Sequence, residues 1–213
     1  MVTDVSRSPR VYGKGRMESF SDGVFAFAIT LLVLDLAVPT ATGERDLLGA
    51  FFAEWPQYLA YVVSFATIGS IWLAHNALTE RLERVDSTLI RLNLLLLLFV
   101  AFVPFPTRFL SQYILVDEAE RIAVALYGTS VLVLTGALLL LWSYARRRGL
   151  LVDRPVDGES SVYSHRLLPG LAVYVLLIAL GMFAPIPAVI GYLVLALFFI
   201  VPLRIGRSVQ HQD

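Results

Sequence analysis

Long apolar runs separated by short charged punctuation dominate this chain, and six of them approach the length of a membrane crossing. They lie at about 17–38, 55–76, 88–107, 122–145, 167–184 and 185–203. A helix of about 20 residues rising ~1.5 Å per residue covers the ~30 Å hydrocarbon core of a bilayer. The pattern predicts an all-α membrane protein in which residues 1–213 form one six-helix transmembrane domain. The second run opens on Trp55 and Pro56, an interfacial aromatic and a residue suited to a first helical turn, and closes on Trp72, His75 and Asn76. In the third, Leu94 to Val100 leads into Val103-Pro104-Phe105-Pro106, whose prolines should kink or end the helix. The last two runs meet at Ala184-Pro185-Ile186-Pro187, too short to be more than the turn of a helical hairpin. No internal repeat or low-complexity segment interrupts the pattern.

Composition agrees with this reading. A hydrophobic share of 57% with only 16% charged residues, and a mean hydropathy of +0.72, exceed what a soluble domain of 213 residues hides from water. The net charge is zero, but the charges are segregated: Arg45, Arg108 and Arg121 are the only three of the 17 basic residues outside the N-terminus, the 80–91 turn, the 146–166 loop and the C-terminal tail. The positive-inside rule therefore places both termini in the cytoplasm of a multi-pass protein of the cell inner (plasma) membrane, in agreement with an even number of spans. The first run, preceded by Arg7, Arg10 and Lys14, is too long for a signal peptide and is expected to be retained. Glu44, Asp46, Glu54, Asp117, Glu118 and Glu120 make the outer loops acidic, which suits either a cation-facing mouth or ordinary loop solubility. There is no cysteine, and three scattered histidines form no metal site by spacing, so no cofactor is expected; the partners are membrane lipid and no nucleic acid.

The first run, RMESFSDGVFAFAITLLVLDLAV from Arg16 to Val38, carries ionisable residues within a spanning segment. A carboxylate such as Asp22 costs on the order of 2.5–3.5 kcal/mol at the bilayer centre and less near an interface, so it must face protein or water. At ~100° per residue, Gly23, Phe27, Thr30, Leu31, Leu34 and Val38 share one stripe, with Asp22, Ala26, Ile29 and Val33 beside it. Such a stripe serves helix packing, or it lines a symmetric pore in which Leu and Phe rings constrict and Thr30 offers oxygen to an ion. Arg16, Ser19, Ser21 and Asp22 fall at the same membrane level as Trp72, His75 and Asn76 and as Arg91 and Asn93. A donor network that satisfies Asp22 and fixes the first helix is the expected consequence. His75 adds a group that can change charge near neutral pH. Asp35, about 40° from Leu31, is a candidate for an acidic ring at the external mouth or a simple interfacial residue.

Arg16, then Phe20-Ser21-Asp22-Gly23-Val24-Phe25-Ala26 and on through Ile29-Thr30-Leu31-Leu32, resembles the signature of the potassium channel family named after the endolysosomal channel transmembrane protein 175. Trp72-x-x-His75, Asn93 and Pro104-Phe105-Pro106 extend the likeness, which is strong over the first half; beyond residue 115 only the hydropathy pattern matches. The resemblance implies a homotetramer whose first helices line a potassium-preferring pore, with potassium as the permeant and no other metal. Phe27, Leu31 and Leu34 correspond to its pore-facing positions and Thr30 to the polar layer associated with selectivity. Arg16, Phe20, Ser21, Asp22, Trp72, His75 and Asn93 are implied to hold the helix in place. Phe27 is bulkier than the Ile or Leu usual at the first constriction of that family.

The function expected is passive cation conduction, potassium over sodium, gated by wetting of an apolar neck. The alternative is a small proton-coupled secondary transporter using Asp22 and His75, although the inverted repeats and broken midplane helices of such carriers are missing from the sequence. An enzyme is not expected: no HExxH, GxSxG or glycine-rich phosphate loop is present.

Overall fold

The structure, a computed structural model, describes residues 13–38, 44–152 and 158–201. The expectations for Arg7, Arg10, the middle of the 146–166 loop, the end of the sixth run and the C-terminal tail lie outside these residues. All described regular structure is helical: α1 Lys14–Leu31 with a 3-10 end at Leu32–Asp35, α2 Glu44–Ala53, α3 Trp55–Glu80, α4 Ser87–Phe102, α5 Pro104–Tyr113, α6 Ala119–Arg147, α7 Gly158–Gly181 and α8 Pro185–Ile200. Four segments are long and apolar enough to cross a membrane, Lys14–Asp35, Trp55–Glu80, Ser87–Tyr113 and Ala119–Arg147, joined by shorter apolar helices at Pro169–Gly181 and Pro185–Ile200. The chain is membrane-embedded.

Proline sets two of the helix boundaries. Val103 ends α4, and Pro104, at the first turn of α5, needs no backbone donor there, so the third apolar run is a pair of stacked helices. Pro185 opens α8 in the same way. The amphipathic helix α2, with Leu47, Leu48, Phe51 and Phe52 exposed, was not anticipated, because ten residues of mixed polarity between two spans carry no spanning-length signal.

Two long helices organise the rest. The C-terminal halves of α3 and α6 share a core with α1 and α4, built from Phe25, Leu32, Ile71, Leu96, Leu138 and their neighbours. The N-terminal halves share a second core with α5, α7 and α8 around Tyr127, Tyr174 and Tyr192. Gly128 permits the second: a Cβ there would lie 2.1 Å from the Tyr192 hydroxyl, so only glycine lets α8 approach α6 this closely.

The ends that the basic residues mark are tied together. Gly149, at φ 61°, closes α6 in the left-handed region, with Leu150 N–H reaching Ala145 O at 3.0 Å and Gly149 N–H reaching Arg146 O at 3.2 Å. The chain then pairs Leu151 with Leu82, and Val152 N–H donates to Arg81 O at 2.8 Å. Asp86 caps α4 through Leu89 N–H at 2.7 Å and accepts from the Tyr144 hydroxyl at 2.7 Å. Lys14 Nζ donates to Glu80 O at 3.2 Å. The start of α1, the α3–α4 turn and the end of α6 therefore share one face of the bundle.

Candidate functional site

Helix α1 has two faces of opposite character. Met17, Ser21, Phe25, Ala28 and Leu32 recur at steps of three and four and are buried against α3 and α4. The other face is largely uncovered by the described residues: Phe20, Phe27 and Leu34 are 56%, 65% and 75% exposed, with Gly23 and Thr30 exposed between them and Leu31 half-buried. This face, with Ala101 of α4, borders a groove of about 540 Å³ lined by Ser19, Phe20, Gly23, Phe27 and Leu31.

The 3-10 end changes the phase of the helix. With three residues per turn, positions i and i+3 eclipse, so Leu34 lies directly above Leu31 and Asp35 above Leu32. Asp35 is thereby carried away from the Leu31 line that a uniform α-helix would have kept it near. Its carboxylate is mostly covered and stands 3.9 Å from the Arg108 guanidinium of α5. Beside it, Ala37 N–H donates to Gln57 Oε1 at 2.7 Å, so the C-terminal end of α1 is held by α3 and α5.

Thr30 donates its hydroxyl proton to Phe27 O at 2.8 Å. With that proton committed to the helix, the hydroxyl oxygen presents lone pairs on the exposed face, an arrangement that accepts a cation or a water proton and has no free proton to repel one.

The polar residues grouped by membrane level separate into two arrangements. In the buried one, His75 Nε2 and Asn93 Oδ1 are 2.8 Å apart, Asn93 Nδ2 donates to Ser21 Oγ at 2.9 Å, and Ser21 donates to Met17 O at 2.8 Å. Because the amide N–H of Asn93 is spent on Ser21, its oxygen is left to accept, so His75 carries its proton on Nε2. The result is a one-way donor chain linking α3, α4 and α1, with Ser21, His75 and Asn93 each no more than 2% exposed. The His75 ring also packs at 5.5 Å from that of Phe25. In the second arrangement Trp72 Nε1–H donates to Asp22 Oδ1 at 2.9 Å, on a surface exposed within the subunit.

His75 thus bonds to Asn93 and not to Asp22, and Asp22 is not buried by its own subunit. Arg16, Ser19 and Arg91 are exposed, and their side chains hydrogen-bond to no described residue; Asn76 turns to Glu80 Oε1 within its own helix at 3.0 Å. Phe20 lies in the wall of the groove beside α1.

A third polar cluster escaped the sequence reading. Ser64 of α3 bonds to Thr107 of α5 at 2.7 Å and to Tyr127 of α6 at 3.2 Å, and Thr67 lies 3.3 Å from the same tyrosine oxygen. Thr67 and Thr107 also return protons to Val63 O and Val103 O, both at 2.8 Å. Isolated hydroxyls within apolar runs look like tolerated exceptions until the helices are placed side by side; the signal available was that Ser64 and Thr67 lie one turn apart on a single helix. Among the described residues no group of three or more His, Cys, Asp or Glu is placed to hold a metal ion.

Comparison with known proteins bears on this geometry. A family profile described as the endosomal/lysosomal potassium channel TMEM175 matches residues 16–104, the segment that carries α1, α3 and α4 and therefore both polar arrangements. A protein of Chamaesiphon minutus named as a potassium channel is 35% identical over 197 residues, covering 90% of this chain and 96% of its own. The chain belongs to the TMEM175 family. A second relative, named as a potassium channel of Streptomyces collinus, is 46% identical over 147 residues, 69% of this chain and 71% of its own. The fold matches the crystal structure of a lysosomal potassium-selective TMEM175 homolog from Chamaesiphon minutus with a TM-score of 0.76 at 34% identity, covering 88% of this chain and 96% of that one. Membership places the chain among membrane channels and not among enzymes.

Proposed function

We propose that this TMEM175 family member is a potassium-preferring cation channel that conducts passively through a pore on the axis of a homotetramer, lined by α1. The observation that carries the reading is the unpartnered face of α1. Phe27 and Leu34 are exposed and Leu31 is half-buried at its edge, while the opposite face is fixed by directed hydrogen bonds. Names of relatives that cover most of both chains support potassium as the permeant.

In this reading α7 and α8 are the fifth and sixth spans. Helix α8, 16 residues and about 24 Å long, requires local thinning of the bilayer at the periphery. Both termini lie in the cytoplasm of a plasma-membrane protein, a reading supported by the segregation of basic residues along the sequence. Leu31 and Leu34, eclipsed on the 3-10 end, form the apolar neck, which dewets when narrow and admits hydrated ions when a small rotation of α1 widens it. Four Thr30 hydroxyls, each with its proton bonded back to Phe27 O of its own helix, offer a weak oxygen layer beside that neck. Weak ligation suits throughput, because an ion must leave as readily as it enters.

The test is flux from liposomes holding purified protein, driven in turn by potassium and by sodium gradients. The expected result is non-saturating potassium flux that exceeds sodium flux and is coupled to no second ion, the balancing charge crossing by a separate ionophore. Saturable uptake that requires a proton gradient would instead establish the coupled-carrier alternative.

A further inference from the structure

Away from α1, the last two turns of α6 carry a groove of about 380 Å³ lined by Leu139, Trp142, Ser143, Arg146 and Arg147. These five positions follow steps of three and four and form one stripe about 12 Å long, from apolar at Leu139 to cationic at Arg147. Neither arginine side chain makes a hydrogen bond or ion pair with any described residue, unlike Arg148, which reaches back to the Tyr144 hydroxyl at 3.4 Å. Trp142 is 2% exposed, and its Nε1–H is the single buried side-chain polar atom without a partner among the described residues. A donor desolvated in this way costs free energy unless an acceptor arrives from beyond the described residues.

The needs of the groove point to one chemistry. Arg146 and Arg147, exposed and without a partner among the described residues, present two guanidiniums at the rim whose planar forks match the oxygens of a phosphate. The carbonyl end of α6 is itself negative, so the attraction must come from these side chains. The stripe lies where a membrane-spanning helix passes from hydrocarbon to water, which sets the phosphate beside the arginines and the acyl chains beside Leu139.

We propose that this groove holds the phosphate of an anionic phospholipid. Arg146 and Arg147 supply the charge, Ser143 and the Trp142 N–H the directed donors, and Leu139 the first acyl contact. Assignment to the cytoplasmic leaflet rests on the orientation proposed above; the site itself does not depend on conduction.

The test is native mass spectrometry of the full chain in neutral detergent, titrated with phosphatidylglycerol or phosphatidylcholine. Saturable binding of phosphatidylglycerol over phosphatidylcholine is expected. The R146Q/R147Q variant should bind it roughly thirtyfold more weakly, and W142F about fivefold more weakly. R84Q/R91Q, which removes the same charge from exposed positions on the same face, should bind like the unmodified protein. Equal binding of the two lipids, or equal losses in both charge variants, overturns the proposal. So does inorganic phosphate displacing phosphatidylglycerol at equal concentration, since the occupant would then be a free anion.

Discussion

The buried donor chain makes a prediction in which the sign matters more than the size. In Asn93→Ala the His75 Nε2–H, 2% exposed and within a membrane-spanning helix, loses its acceptor at 2.8 Å with no water to replace it. Leaving a buried donor unmet costs about 1–3 kcal/mol, and removal of the amide adds a small void. His75→Phe produces the reverse defect by stranding Asn93 Oδ1, and costs a similar amount. The double variant H75F/N93A strands neither group, and the larger Phe ring fills part of the space of the amide. Ser21 stays satisfied, because its own proton goes to Met17 O at 2.8 Å. The double variant should therefore be less destabilised than the sum of the singles by at least ~0.6 kcal/mol, the typical coupling of hydrogen-bonded side chains in a membrane bundle. Reversible unfolding in mixed micelles, followed by tryptophan fluorescence, measures all four corners of the cycle. Simple additivity would refute the donor chain, as would an unperturbed N93A.

Leu34→Ala should raise single-channel conductance in planar bilayers and lower the potassium-to-sodium ratio, with stability held within ~0.5 kcal/mol because Leu34 is 75% exposed in the subunit; an unchanged current would count against the pore assignment. Thr30→Val should depress that ratio while Thr30→Ser preserves it, read from reversal potentials under bi-ionic conditions, since only the hydroxyl oxygen is proposed to meet the ion. Asp22→Asn keeps an Oδ1 acceptor for Trp72 and should reduce the tetramer fraction only mildly on size exclusion, whereas Asp22→Leu leaves the indole N–H unmet and should reduce it strongly; equal effects would mean that charge, and not the hydrogen bond, is what matters.

Much of this architecture is legible in the chain because bilayer thickness imposes a length on each span and proline imposes its ends. The stripe on α1 follows from 3.6-residue periodicity and is the face left exposed in the subunit. What periodicity does not reveal is a change of helix type. At 100° per residue Asp35 belongs near Leu31, but four residues of 3-10 geometry bring it over Leu32 and towards Arg108. Membrane level alone groups Asp22 with His75, because depth is shared by everything around a bundle; azimuth separates them, and azimuth depends on helix packing that no single segment encodes. The Ser64, Thr107 and Tyr127 cluster was hidden for the same reason, since its members lie on three helices up to 63 residues apart.

In the reading proposed above, the two kinds of contact along α1 divide the labour of a gated pore. Directed bonds hold the helix near its inner end, at Ser21 and Asp22, and again at its outer end, at Asp35 and Ala37. Between these anchors the contacts with other described residues are apolar packing by Phe25, Ala28 and Leu32, flanked by Val24 and Ile29, and such contacts are non-directional, so the intervening stretch can turn by a few degrees without stranding a polar group. Substitutions at the inner anchors should therefore move the unfolding transition and leave the reversal potential of the surviving tetramers in place. Substitutions at Phe27, Thr30, Leu31 and Leu34 should move the reversal potential and leave the unfolding transition in place. Measuring both quantities on one panel of variants decides the matter: if Asn93→Ala shifts selectivity as far as Thr30→Val does, the anchors and the stripe are a single mechanical unit and the separation argued from their contacts fails.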